Sequence, residues 1–110
     1  MVKLTRREPF LISYDVKVKE HLLAIEKRYH SLIRTTIEEQ LSYDADLETR
    51  NRKPLMRDVE FEADWELRFG PDNRFRAFYA LDAAEHSVLV LAVGVKRGSK
   101  LSIGGEEIQL

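Results

Sequence analysis

In Trp65-Glu66-Leu67-Arg68-Phe69-Gly70-Pro71-Asp72-Asn73-Arg74-Phe75-Arg76-Ala77-Phe78-Tyr79, residues alternate in character on either side of a cluster of turn formers. Successive side chains of a strand point to opposite faces, so this period of two predicts two strands with one apolar face. The first alternation begins upstream, with Val59, Phe61, Ala63, Trp65, Leu67 and Phe69 set between Glu60, Glu62, Asp64, Glu66 and Arg68. The second sets Phe75, Ala77, Tyr79 and Leu81 between Arg74, Arg76, Phe78 and Ala80. Gly70 to Asn73 supplies the residues that turns require, so the two strands form a hairpin. If the loop is Pro71 to Asn73, Arg68 stands opposite Arg76 on the same face. A loop of even length would place Arg68 opposite Phe75.

Downstream, Val88 to Val95 is almost continuously apolar, the pattern of a central strand covered on both faces. Leu101 to Ile108 adds a short strand before a tail that Gly104-Gly105 would leave flexible. Upstream, Pro9 to Tyr14 reads as a first strand at an edge. Asp15 is positioned to cap a helix whose apolar stripe is Val18, Leu22, Ile25 and Tyr29. Ser31 would cap a second helix that buries Leu32, Ile33, Ile37 and Leu41 and turns Arg34, Glu38 and Glu39 to water. Strand, helical hairpin, then a run of strands predicts an α+β fold. The helices pack on one face of a mainly antiparallel sheet of about four strands, leaving the other face for function.

The 110 residues fit a single domain spanning 1–110. Without cysteine, disulfides, thiolate metal sites and cysteine nucleophiles are excluded. The apolar run Phe10-Leu11-Ile12 is far shorter than a signal-peptide core or a membrane span, so a cytoplasmic location away from membranes is expected. Lys and Arg (18) nearly cancel Asp and Glu (19), so any binding of nucleic acid must come from a local patch and not from overall charge.

The order of these elements, with Trp65-Glu66-Leu67-Arg68-Phe69-Gly70, Asn73-Arg74-Phe75-Arg76-Ala77-Phe78-Tyr79 and Val90-Leu91-Ala92-Val93-Gly94-Val95-Lys96, resembles the RelE/ParE superfamily of bacterial toxins over nearly the whole chain. The resemblance implies a toxin controlled by a cognate antitoxin. In one branch such toxins are ribosome-dependent mRNA endonucleases that inhibit translation; the ParE branch instead inhibits DNA gyrase. An inert, partner-binding member of the fold is a third possibility. By the same resemblance, Arg68, Arg76, Lys53 and one of Lys96 or Arg97 fall at positions that act on phosphate in the nucleases. The C-terminal Tyr that takes part in proton transfer in several of them has no counterpart in Lys100-Leu101-Ser102-Ile103-Gly104.

Metal-free RNA cleavage needs cations for the charge building on phosphate, and groups to accept and donate protons. Opposed Arg68 and Arg76 would repel unless an anion bridged them, and a guanidinium fork fits phosphate. Glu66 or Asp82 could instead pair with them in a solvated ion network. Arg50, Arg52, Lys53 and Arg57 form a basic cluster for RNA or ribosome backbone, as Lys96 and Arg97 do at the end of the central strand. Tyr79 falls on the core side of the alternation. His21, His30 and His86 read as capping or solvated residues, and a carboxylate such as Glu66 would have to replace the missing Tyr. No spacing of His, Asp or Glu suggests a metal, and no cofactor is expected.

Overall fold

The computed structural model describes residues 8–56 and 62–109. Its elements are β1 (Leu11–Tyr14), α1 (Lys17–Leu23), a 3-10 turn at Lys27–Tyr29, α2 (His30–Leu41), β2 (Arg52–Pro54), β3 (Trp65–Phe69), β4 (Phe75–Asp82), β5 (Ser87–Arg97), β6 (Lys100–Ile103) and β7 (Glu106–Ile108). The fold is α+β, with the N-terminal strand and two helices packed on an antiparallel sheet. Strand order is β2-β3-β4-β5-β6-β7. β1 lies parallel to the first half of β5, Leu11 opposite Ser87, and β6 runs antiparallel to the second half, Gly94 opposite Ile103. The expected centrality of β5 follows from its 11 residues, long enough to hold two strands in tandem along one edge.

Among the described residues the sheet has seven strands, where the sequence predicts about four. Two additions are short. β2 arises inside the basic loop, because Arg52 to Pro54 pair with Leu67 to Trp65, and Pro54 tolerates the strand by standing at its end. β7 exists because Gly104 and Gly105 both adopt positive φ, 62° and 83°, and close a tight hairpin with β6 where a flexible tail is expected. The long alternation from Val59 yields a described strand only from Trp65; Val59, Glu60 and Phe61 lie outside the described residues.

The helical hairpin also departs from its expected boundaries. The N-cap of α1 is Val16, which brings no side-chain cap, and not Asp15; Asp15 lies one residue earlier, where its Oδ1 accepts the Lys17 N–H at 2.9 Å. The helix stops at Leu23, however, and Glu26 is extended before the 3-10 turn. Ser31 lies inside α2 and caps nothing, since the turn runs directly into the helix at His30, whose Nε2 meets the Ile25 carbonyl at 2.8 Å. Leu32 is exposed; Ile33, Ile37 and Leu41 form the buried stripe.

Two apolar clusters sandwich the sheet. Between helices and sheet, Val18, Ile25, Ile33, Ile37 and Leu41 meet Leu67, Phe69, Phe75, Ala77, Tyr79, Val88, Val90 and Val93. A bulge at Phe78/Tyr79, where Leu91 has no β4 partner, lets Val90 and Val93 face the helices although they are three positions apart, an odd interval. On the distal face, Phe78, Ala92, Leu101 and Ile103 pack together with Leu55, Ala63 and Ile108. Beyond that smaller cluster, the distal face is polar. No described helix is long and apolar enough to cross a membrane.

Candidate functional site

The hairpin between β3 and β4 fixes the site. Gly70 (φ 81°), Asp72 (φ 54°) and Asn73 (φ 51°) take left-handed conformations around a 3-10 turn at Pro71–Asn73, conformations that Gly, Asp and Asn tolerate best. A Cβ at Gly70 would lie 2.4 Å from the Phe75 ring, so the close approach also demands glycine. The loop has the odd length that sets Phe69 opposite Phe75 and Arg68 opposite Arg76. The predicted arginine pairing is therefore present.

Register carries the same face across the sheet. Lys53 is opposite Glu66, Arg68 opposite Arg76, and Arg76 opposite Gly94, with Lys96 two residues further along β5. Lys53, Glu66, Arg68, Arg76 and Lys96 thus share the distal face. Glu66, Arg68, Arg76, Lys96, Ser99 and Glu107 line a groove of about 320 Å³ on it. Lys53 stands beside the groove and does not line it.

Glu66 organises the cations. Its Oε1 accepts the Arg68 Nε–H at 2.5 Å and lies 3.9 Å from Arg76 Nε. Glu66 and Arg76 are buried, with 6% and 7% of their surface exposed, whereas the Arg68 side chain is 43% exposed. The Arg76 guanidinium also donates to the Asn73 carbonyl, which anchors it to the turn. Burial lowers the Arg76 pKa; the Glu66 carboxylate opposes that fall and the Arg68 charge adds to it. Lys96 is held through its backbone, its N–H donating to the Arg74 carbonyl at 2.6 Å. The result is one buried guanidinium and one half-exposed guanidinium beside a buried carboxylate, in a groove that Lys96 also lines.

The other basic candidates are elsewhere. Arg52 is turned inward, 3% exposed, donating to the Leu47 carbonyl at 2.9 Å and to Gln40 Oε1 at 2.8 Å, so its charge ties the loop to α2 and is not presented at the surface. Arg50 borders a depression between α2 and β3 with Thr36 and Gln40. Arg97, one residue past Lys96, falls on the helix side and lines a separate groove with His21 and Ser102. Arg57 lies outside the described residues.

No family model matches the chain, and no curated protein matches it.

Tyr79 is core, as the alternation predicts: its hydroxyl donates to the Ala45 carbonyl at 2.7 Å, and burial raises its pKa. The histidines serve structure. His86 stacks on Phe10 with ring centroids 4.0 Å apart, and His21 Nδ1 accepts the Val93 N–H at 3.3 Å. Among the described residues lining the groove there is no Tyr or His. Nor do three His, Asp or Glu side chains gather among the described residues as a metal would require. Sequence reasoning missed Ser99 and Glu107, which reach the rim only because the chain folds back as β6 and β7. Glu66 was legible from its place two residues before Arg68, on the same face of one strand.

Proposed function

We propose that the distal groove binds a phosphodiester of RNA, and that the chain is a toxin of the RelE/ParE kind, acting as a ribosome-dependent mRNA endonuclease. The observation that carries this reading is the direct opposition of Arg68 and Arg76 at the mouth of an open polar groove. Two like charges in register are costly unless an anion lies between them, and Glu66 reaches one strongly and the other weakly. Phosphate completes the set. Arg68 is exposed enough to close on it, Arg76 is held rigid by the turn, and Lys96 supplies a third cation from a well-anchored backbone. Fixed cations of this sort stabilise the charge that develops on phosphorus during attack by the 2′-hydroxyl. Lys53, on the same face, would hold the neighbouring stretch of RNA backbone. Control by a cognate antitoxin covering this face follows from the same resemblance.

Induced expression without antitoxin tests the proposal: growth arrest should come with mRNA cut during translation, and Arg68→Ala should abolish both while leaving the fold intact. Intact transcripts beside arrested growth would reject it. One observation favours a second reading. A groove without Tyr or His among its described lining has few groups for proton transfer, as suits a toxin that acts by contact with DNA gyrase. Inhibition of supercoiling in vitro separates the two, and harmless expression would point to an inert member of the fold.

A further inference from the structure

On the helix side of the sheet, away from the distal groove, a pocket of about 180 Å³ opens beside the end of α1. His21, Arg97 and Ser102 border it. His21 Nδ1 accepts the Val93 N–H at 3.3 Å, so the neutral ring carries its proton on Nε2. That edge of the ring faces the β6–β7 turn: a Cβ at Gly104 would stand 3.4 Å from Cδ2, the carbon bonded to Nε2. Among the described residues, no protein acceptor engages this Nε2–H, the Ser102 hydroxyl or the Arg97 guanidinium. Arg97 also stands directly opposite Lys100 across β5 and β6, a like-charge pair, and no Asp or Glu is among the described residues lining the pocket. We propose that this pocket binds a small aliphatic carboxylate, held by Arg97, Ser102 and His21 Nε2–H.

The lining sets the class of ligand. One guanidinium and two neutral donors match an anion of single charge, and the planar fork of arginine fits the two oxygens of a carboxylate. The remaining wall is apolar, with Ile25 and Val93 buried and Val95 partly so, and it suits an aliphatic substituent on that carboxylate better than further oxygens. The volume lies below the roughly 300 Å³ at which pockets hold drug-sized ligands, so a molecule of a few heavy atoms, or the last residue of a chain, is what fits. Gly104 and Gly105 keep the space open. Side chains there would start 3.4 Å from His21 Cδ2 and 3.9 Å from the Ala24 Cβ and would close it.

The test titrates the full chain with isovalerate, isovaleramide and inorganic phosphate at one salt concentration and follows the amide resonances of Val93, Gly104 and Gly105. Isovalerate should saturate these shifts with a Kd of about 1 mM, and the uncharged amide of the same shape should bind about tenfold more weakly or worse. Arg97→Gln should weaken isovalerate about tenfold, whereas Arg34→Gln, which removes the same charge from α2 outside the pocket, should change it by less than about twofold. N-acetyl-glycyl-valine distinguishes the sources: binding about tenfold tighter than isovalerate assigns the site to the carboxyl end of a polypeptide, and equal or weaker binding assigns it to a free acid. Isovaleramide or phosphate that binds as tightly as isovalerate, or isovalerate that shows no saturation by about 50 mM, overturns the proposal. The ligand comparison needs no variant, and none of these outcomes bears on the distal groove.

Discussion

Arg68 and Arg76 face each other across β3 and β4 with the Glu66 carboxylate beside both, 2.5 Å from one Nε and 3.9 Å from the other. Glu66 is the only counter-charge the structure gives the buried Arg76 among its described ion pairs. Replacing it with Met should therefore destabilise the protein by about 2 kcal/mol, below the value for a fully buried pair because Arg68 remains half in water. Arg68→Met should cost less than about 1 kcal/mol. Urea unfolding measures both. Added sulfate should restore stability to Glu66→Met more than it stabilises wild type, since the anion fills the place the carboxylate leaves. Equal response in the two proteins would mean that the arginines do not form an anion site.

Arg52 makes the opposite case, a basic residue whose charge faces inward. Its two hydrogen bonds, to the Leu47 carbonyl and to Gln40 Oε1, hold the loop before β2 against α2. Arg52→Met leaves both acceptors without that donor and should cost about 2–3 kcal/mol. Lys53→Met, at the exposed next position, should change stability by less than about 0.5 kcal/mol. If the two variants have equal midpoints in urea, the inward hydrogen bonds of Arg52 contribute nothing.

These contrasts mark how far the sequence could be read. Trp65 to Tyr79 disclosed the hairpin because alternation and turn chemistry are local, but it left the register to the loop length, and Arg68 meets Arg76 because that length is odd. The side of the core was equally plain for Leu67, Phe75 and Tyr79. What escaped depends on distant partners. Arg50, Arg52 and Lys53 look alike along the chain, yet β2 pairing sends Arg52 to one face and Lys53 to the other. Lys96 and Arg97 are likewise separated by the pleat. Glu107 joins the groove only through a Gly-Gly turn that composition alone presents as flexible, and helix α1 ends early because of contacts such as His30 to Ile25 that no helical period encodes.

His21 gives the fold a pH dependence. Its Nδ1 accepts the Val93 N–H, which requires the neutral ring, and burial lowers its pKa from the usual histidine value; Glu20 and Asp15 oppose that shift and Lys17 adds to it. The unfolded chain, with its histidine near the ordinary pKa of about 6.5, then binds more protons than the native state over the interval between the two values. Stability from this group is complete above the unfolded pKa and falls as pH drops through that interval. Melting temperature should decline from pH 7.5 towards 5.5 with a steeper slope in wild type than in His21→Gln, which keeps an acceptor that does not titrate. Parallel slopes would show that His21 is not the residue responsible.

Gly94 couples the groove to the strand that walls it. It lies opposite Arg76 on β4 and Ile103 on β6, and a Cβ there would stand 2.8 Å from both the Ser102 carbonyl oxygen and Ile103 Cγ1. The first of these is backbone, so Ala cannot be accommodated by a rotamer change; β6 must move. Gly94→Ala should cost about 2 kcal/mol and raise amide exchange at Leu101 and Ile103, where β6 leaves β5. Because Lys96, Ser99 and Leu101 line the groove, the same shift should weaken the phosphodiester binding proposed for it. Gly98 provides the control: its φ of 60° makes Ala unfavourable by about 1 kcal/mol, but nothing lies within 4 Å of the added Cβ. Gly98→Ala should therefore lose a little stability with no change in exchange at Leu101 and Ile103. Matching exchange profiles for the two variants would refute the close β5–β6 contact at Gly94.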